Sequence, residues 1–262
     1  MKIVIISGVT GAIGSTLLSE YAQDKNTVIY GISRKALPLD RFLIDGKLPQ
    51  RTLICAITVP QDYQKLFSSI NFTDVEEIVY IHAIGLYPFE VNKEGDIVVE
   101  NDFDGDGIND ETWKLTYEAF TVANTSLLTY WKGKTKAVIF GGIADIHEPA
   151  VHQSWWKTIK KVKEFMKKSL ENNPLLSMLV FNISSVFCPH EIITRPFVFI
   201  HTDADQTKWL SPYELAQFVV SKTNESVPGF YELDKFRIKE GFDIEKYYKD
   251  DNFTPRKVDE LF

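Results

Sequence analysis

The chain has 262 residues, 44% hydrophobic and 25% charged, with two cysteines and a formal net charge of −7. This composition predicts a soluble globular protein, excludes a disulfide framework and leaves no apolar run long enough to span a membrane. The N-terminus reads as a strand without a cationic leader, which points to a cytoplasmic protein. The net charge is local: eight acids lie between Glu94 and Glu111, and without them 28 acids face 29 basic residues. The body is therefore near neutral, and no nucleic-acid surface is expected.

The first element is an apolar, β-branched run, Ile3-Val4-Ile5-Ile6, suited to a strand buried on both faces of a parallel sheet. It breaks at Gly8, Gly11 and Gly14, spaced G-x-x-G-x-x-G, and an amphipathic segment from Ser15 to Tyr21 follows. Glycines there let the backbone turn tightly and approach a ligand, and the helix N-terminus behind them offers N–H groups to a pyrophosphate. A second strand, Thr27 to Ile32, ends in Ser33-Arg34-Lys35. At that position an acid would bind the adenosine ribose of NAD. A hydroxyl and two cations suit a 2′-phosphate, so Ser33 and Arg34 predict NADP(H) over NAD(H).

Further strands are predicted at Thr52 to Ile57, Glu77 to Ile81, Ala137 to Phe140, Met178 to Ile183 and Gly229 to Leu233. Helices are predicted around Asp62 to Ile70, Glu111 to Trp131, Trp155 to Leu170 and Pro212 to Lys222. Alternating strands and helices predict an α/β fold, a Rossmann-like doubly wound parallel sheet with helices on both faces. No repeat or linker divides the chain. It reads as one domain over residues 1–262, with an acidic insertion at about 88–112 and a small substrate region at about 190–211.

In this order the motifs are similar to those of the short-chain dehydrogenase/reductases. Ser7-Gly8-Val9-Thr10-Gly11-Ala12-Ile13-Gly14 resembles the TGxxGxxG form of the family's cofactor loop, and His82-Ala83-Ile84-Gly85 stands where Asn-Asn/Ala-Ala-Gly is usual. Val122-Ala123-Asn124 resembles the segment whose asparagine holds a proton-relay water. Pro189 to Thr194 resembles P-G-x-V-x-T, and Leu210 to Ala216 the entry to the last helix. The resemblance implies that Gly8, Thr10, Gly11, Ile13 and Gly14 hold the cofactor, joined by His82, Ala83, Gly85, Lys160 and Pro189. It also implies an oxidoreductase acting on a carbonyl or hydroxyl of a small or nucleotide-linked metabolite.

The catalytic positions depart from the pattern. The family's Tyr-x-x-x-Lys falls on Trp156 to Lys160, and glycine, Gly142, stands where a serine ends the fifth strand. An indole does not titrate usefully and cannot replace a phenol in proton transfer. Of the four family residues, Asn124 and Lys160 remain. Three readings stay open. The first is a redox enzyme whose donor is His147, His152, Asp145 or Tyr87, with Trp156 in the tyrosine's place. It reads equally as a silent cofactor-binding homologue, a sensor or the partner subunit of an active chain. The third reading is a non-redox step on a nucleotide-linked metabolite.

Within the insertion, Asp102, Asp104, Asp106 and Asp110 read D-x-D-x-D-G-x-x-D, a spacing that can converge on Ca²⁺, although position twelve is Trp113 and the EF-hand glutamate is missing. Without an ion the same residues make a solvated acidic turn. The insertion leaves the ligand-binding edge of the sheet and could form part of a lid. Ile159, Val162, Phe165/Met166 and Leu170 form one apolar stripe on a lysine-rich helix. By resemblance that helix implies a homodimer, or a heteromer with an active chain.

Overall fold

The computed structural model describes residues 1–34, 52–57, 61–88, 90, 92, 96–184, 186 and 210–237. Pro189, Lys35 and the stretch 190–209 lie outside the described residues. The elements, in chain order, are β1 (Lys2–Ser7), α1 (Ala12–Tyr21), β2 (Thr27–Ser33), β3 (Thr52–Ala56), α2 (Asp62–Ser69) and β4 (Glu77–His82). After the insertion come α3 (Asp110–Thr112), a π-helical stretch (Trp113–Glu118), α4 (Ala119–Tyr130) and β5 (Lys134–Gly142). The remainder is α5 (Ala144–His147), a 3₁₀ turn (Ala150–His152), α6 (Gln153–Leu170), β6 (Leu176–Ile183), α7 (Pro212–Glu225) and β7 (Gly229–Lys235).

The strands form one parallel sheet in the order β3-β2-β1-β4-β5-β6-β7. Its core follows from strand alternation. Ile3 and Ile5 of β1 face the layer of α2, α4 and α6, where Phe67, Phe120, Leu127, Ile159 and Val162 pack. Val4 and Ile6 face the opposite layer of α1 and α7, with Leu17, Leu18, Leu215 and Val219. With helices on both faces, the continuous apolar runs read from the sequence are buried on both sides.

The two ends of this sheet differ. At the starting edge of the sheet, Glu77 on β4 lies 3.4 Å from Lys2 of β1 and 2.9 and 3.1 Å from Lys134 and Lys136 of β5. Lys136 is fully buried and also donates to the carbonyls of Thr223 and Asn224 at the end of α7. Burial alone would raise the Glu77 carboxyl, but the lysines outweigh it and hold the group below its ordinary range. At the finishing edge, the order reverses between β1 and β4. In open α/β sheets the crevice at such a reversal is the usual ligand position.

Candidate functional site

The glycine loop lines this crevice. Gly8 follows β1 with φ +81°, and a Cβ on it would lie 2.3 Å from the carbonyl oxygen of Ala83. A Cβ on Gly14 would lie 2.2 Å from the oxygen of Gly8. The protein's own packing therefore explains these two glycines. Gly11 differs: its nearest neighbour would be 3.5 Å away, an ordinary contact, and the residue is exposed. Gly11 is also the N-cap of α1; no side chain caps that end and no acid occupies its first turn. The loop thus presents a bare backbone, and the uncapped first turn of α1 its N–H groups, beside exposed Thr10 and half-buried Ile13. Ser33 is buried at the end of β2, and Arg34 is exposed just beyond it.

At the end of β4, His82 turns inward. Its Nε2 lies 2.9 Å from the carbonyl of Leu115 in the π-helical stretch, and its Nδ1 2.9 Å from the Tyr80 hydroxyl. Tyr80 and Tyr63 both reach Ser7 Oγ, at 3.2 and 2.9 Å. Because the Leu115 carbonyl can only accept, neutral His82 carries its proton on Nε2 and accepts at Nδ1 from Tyr80. Burial lowers its pKa to about 4. His82 thus braces the floor from below, while half-buried Ala83 and exposed Gly85 line it.

The wall over Gly85 is aromatic. The ring of Trp155 lies where a Gly85 side chain would be, 2.8 Å from the Cβ position, and its Nε1 lies 3.6 Å from the Cβ position of Gly142. Tyr87 lies tilted against His152 with centroids 4.2 Å apart and meets Trp155 edge-on at 5.3 Å. Trp155, rather than Trp156, therefore reaches the crevice. Trp156 donates instead to the Pro149 carbonyl at 3.1 Å, and Lys160 is exposed, 3.5 Å from Glu148. The reason is helical phase: Trp155, Ile159, Val162 and Met166 form the buried stripe of α6, which turns the next residues outward.

The other donor candidates separate clearly. His152 is buried, with Nδ1 2.9 Å from the Pro88 carbonyl, and burial lowers its pKa to about 4. It is neutral near pH 7 and poorly suited to give up a proton. His147 is half-buried on α5. Asn124 is buried in α4; its Nδ2 donates to Phe120 at 2.8 Å and its Oδ1 has no partner. Asp145 lies against Gly142, whose N–H it accepts at 2.6 Å, and burial raises its pKa to about 7. It alone combines proximity to Gly142 with a titration near neutrality.

The insertion is docked rather than loose where it is described. Buried Glu90 accepts from the backbone N–H of Ser154 at 3.1 Å and pairs with its hydroxyl, so it caps α6. Ser154 in turn accepts from Asn109 N–H at 2.7 Å, and Lys157 donates to the carbonyls of Asp106 and Gly107. Asp102, Asp104 and Asp106 bring carboxylate oxygens within 4.8 Å of one another, while Asp110 accepts from Phe103 N–H instead. Asp102 accepts from the backbone N–H groups of Gly105, Asp106 and Gly107. Those bonds account for the acidic spacing as a series of turns closed by side chains.

No protein-family model and no curated protein matches the chain. Solved structures do. L-sorbose reductase from Gluconobacter frateurii, complexed with NADPH and L-sorbose, is 18% identical with a TM-score of 0.66, over 91% of this chain and 97% of that one. Serine dehydrogenase in a closed form with NADP+ is 14% identical with a TM-score of 0.65, over 89% and 94%. 4-Hydroxyisoleucine dehydrogenase with NADH is 10% identical with a TM-score of 0.63, over 89% and 97%. The chain thus has the short-chain dehydrogenase/reductase fold. Calcium finds no support among these similarities. No helix among the described residues is long and apolar enough to cross a membrane.

Proposed function

We propose that this chain binds NADP(H) in the crevice between β1 and β4 and does not carry out tyrosine-dependent hydride transfer. One observation carries the first half. Packing closes around Gly8 and Gly14, whereas Gly11 stays bare beside an uncapped helix N-terminus. An approaching pyrophosphate accounts for that bareness. Proteins of this fold are solved with NADP(H) and with NADH, so the fold does not choose between them; exposed Arg34, with no acid at the end of β2, favours the 2′-phosphate. When bound, the dinucleotide supplies hydride chemistry. This chain's residues bind its pyrophosphate and adenosine end and wall its other end with Trp155, Tyr87 and His152. Calorimetry tests the binding. NADPH should bind more tightly than NADH, and Arg34→Asp should reverse the order through like-charge repulsion. Equal binding, or none, would overturn this assignment.

The second half follows from the wall. Trp155 fills the space between Gly85 and Gly142, and Lys160 points away, which fits a cytoplasmic sensor or the silent subunit of a homodimer or of a heteromer with an active chain. A second reading, an oxidoreductase with a carboxylic acid as proton donor, is favoured by Asp145 beside Gly142. NADPH oxidation against a carbonyl panel separates them. The silent reading expects no turnover. The other expects turnover that Asp145→Asn removes.

A further inference from the structure

We propose that Asp145, Asn182 and Trp155 form a proton-holding site at the end of β5, in which neutral Asp145 donates to Asn182 and ionised Asp145 is taken up by the indole N–H of Trp155. The site goes beyond dinucleotide binding and stands without it. A Cβ on Gly141 would lie 2.2 Å from Asp145 Oδ2 and 2.6 Å from Asn182 Oδ1, so two acceptor oxygens crowd around one point. The amide of Asn182 is oriented by its Nδ2, which donates to Asp234 at 2.9 Å; flipping it would set oxygen against carboxylate. Asn182 Oδ1, Asp145 Oδ1 and Trp155 Nε1 are all buried without a hydrogen-bond partner. A buried acceptor such as Asn182 Oδ1, left without a donor beside a second acceptor, is unfavourable. A proton on Asp145 Oδ2 resolves the conflict: it is given to Asn182 Oδ1, while Oδ2 still accepts from Gly142.

The surroundings leave the balance adjustable. Burial raises the carboxyl, Gly142 N–H and Lys163 on α6 lower it, and Glu232 on β7 raises it. Lys163 and Glu232 are themselves paired at 2.8 Å. Asp234 is held by Asn182, Lys235 is paired with Glu214 at 2.7 Å, and His147 lies two residues along α5. When the proton leaves, the charged carboxylate strengthens its attraction for the facing indole N–H, which favours the ionised form of Asp145. Trp155 is wedged against Gly85, so the proton on Asp145 adjusts the wall of the crevice.

The test uses the whole protein with no dinucleotide added, so it succeeds or fails independently of NADPH binding. Difference infrared spectroscopy should show one protonated carboxyl that ionises near pH 7. The ¹⁵N-indole resonance lost in Trp155→Phe should move downfield with the same midpoint. Asn182→Leu removes the acceptor of the neutral form and should lower the midpoint by about one pH unit, while Trp155→Phe removes the donor to the charged form and should raise it. Should Asp145→Asn fail to fold, these two variants still carry the test. No carboxyl ionising above pH 6, or a midpoint that neither substitution moves, would overturn the proposal.

Discussion

Three glycines in one loop carry different burdens. Gly8 combines positive φ with a carbonyl 2.3 Å from its Cβ position, and Gly14 meets backbone at 2.2 Å. Alanine at either should cost at least about 2 kcal/mol in denaturant unfolding. Gly11→Ala should unfold normally but bind dinucleotide less tightly. Gly141 and Gly142 divide likewise. A Cβ at 142 meets nothing nearer than 3.6 Å, whereas a Cβ at 141 drives into Asp145 and Asn182. Gly142→Ser with Trp155→Tyr, not Trp156→Tyr, is therefore the pair expected to raise NADPH oxidation with a generic carbonyl. Acid stability follows from the two buried imidazoles. His82 and His152 titrate near pH 4 when folded and near 6.5 when unfolded. Between these values the unfolded chain binds more protons, so stability falls as pH falls, by on the order of 3 kcal/mol per histidine. Asp145, raised from 3.8 to about 7, has the opposite slope over an overlapping window. Stability measured from pH 7 to pH 4 should fall more steeply in Asp145→Asn than in the unmodified chain.

Among elements, the strands were legible because each is a short apolar run ended by glycine or polar residues. α6 was legible as an element but not in phase at its start. The apolar stripe that marks Ile159 and Val162 extends back to Trp155, and that extension was the available signal that Lys160 faces outward. The tyrosine–lysine pattern pulled the reading one residue away from it. The π-helical stretch and the Ser7–Tyr63–Tyr80–His82 chain were not legible, because their partners come from four separate segments joined only by the fold. The insertion is also tied to α6 by non-local bonds. Asn109 accepts from Thr112 N–H at 3.0 Å as a helix cap and donates to Glu100. Asn109→Ala should cost about 1 kcal/mol, and Glu90→Ala more, since it leaves the first turn of α6 and Ser154 without their acceptor. Hydrogen exchange should show both variants freeing residues 96–112 before the sheet opens.

Across the molecule, composition and strand–helix alternation indicated one doubly wound sheet, and the described residues form one. The crevice is where the order of strands reverses, and that follows from alternation plus the first glycine turn. The charge pairing at the opposite edge left little trace in the sequence: Lys2, Glu77, Lys134 and Lys136 look like ordinary strand-end charges until register aligns them. That cluster has a consequence in folding time. Lys136 has no acceptable burial until β4 brings Glu77 beside it and α7 arrives with the carbonyls of Thr223 and Asn224. Its partners lie 59 residues before it and 87 and 88 after it, so the ammonium can be desolvated only after both distant parts of the chain have assembled. It works as a late checkpoint. Removing its counter-charge in Glu77→Gln should accelerate unfolding much more than it slows refolding, whereas Lys136→Met, which abolishes the requirement, should let the central strands close without waiting for α7.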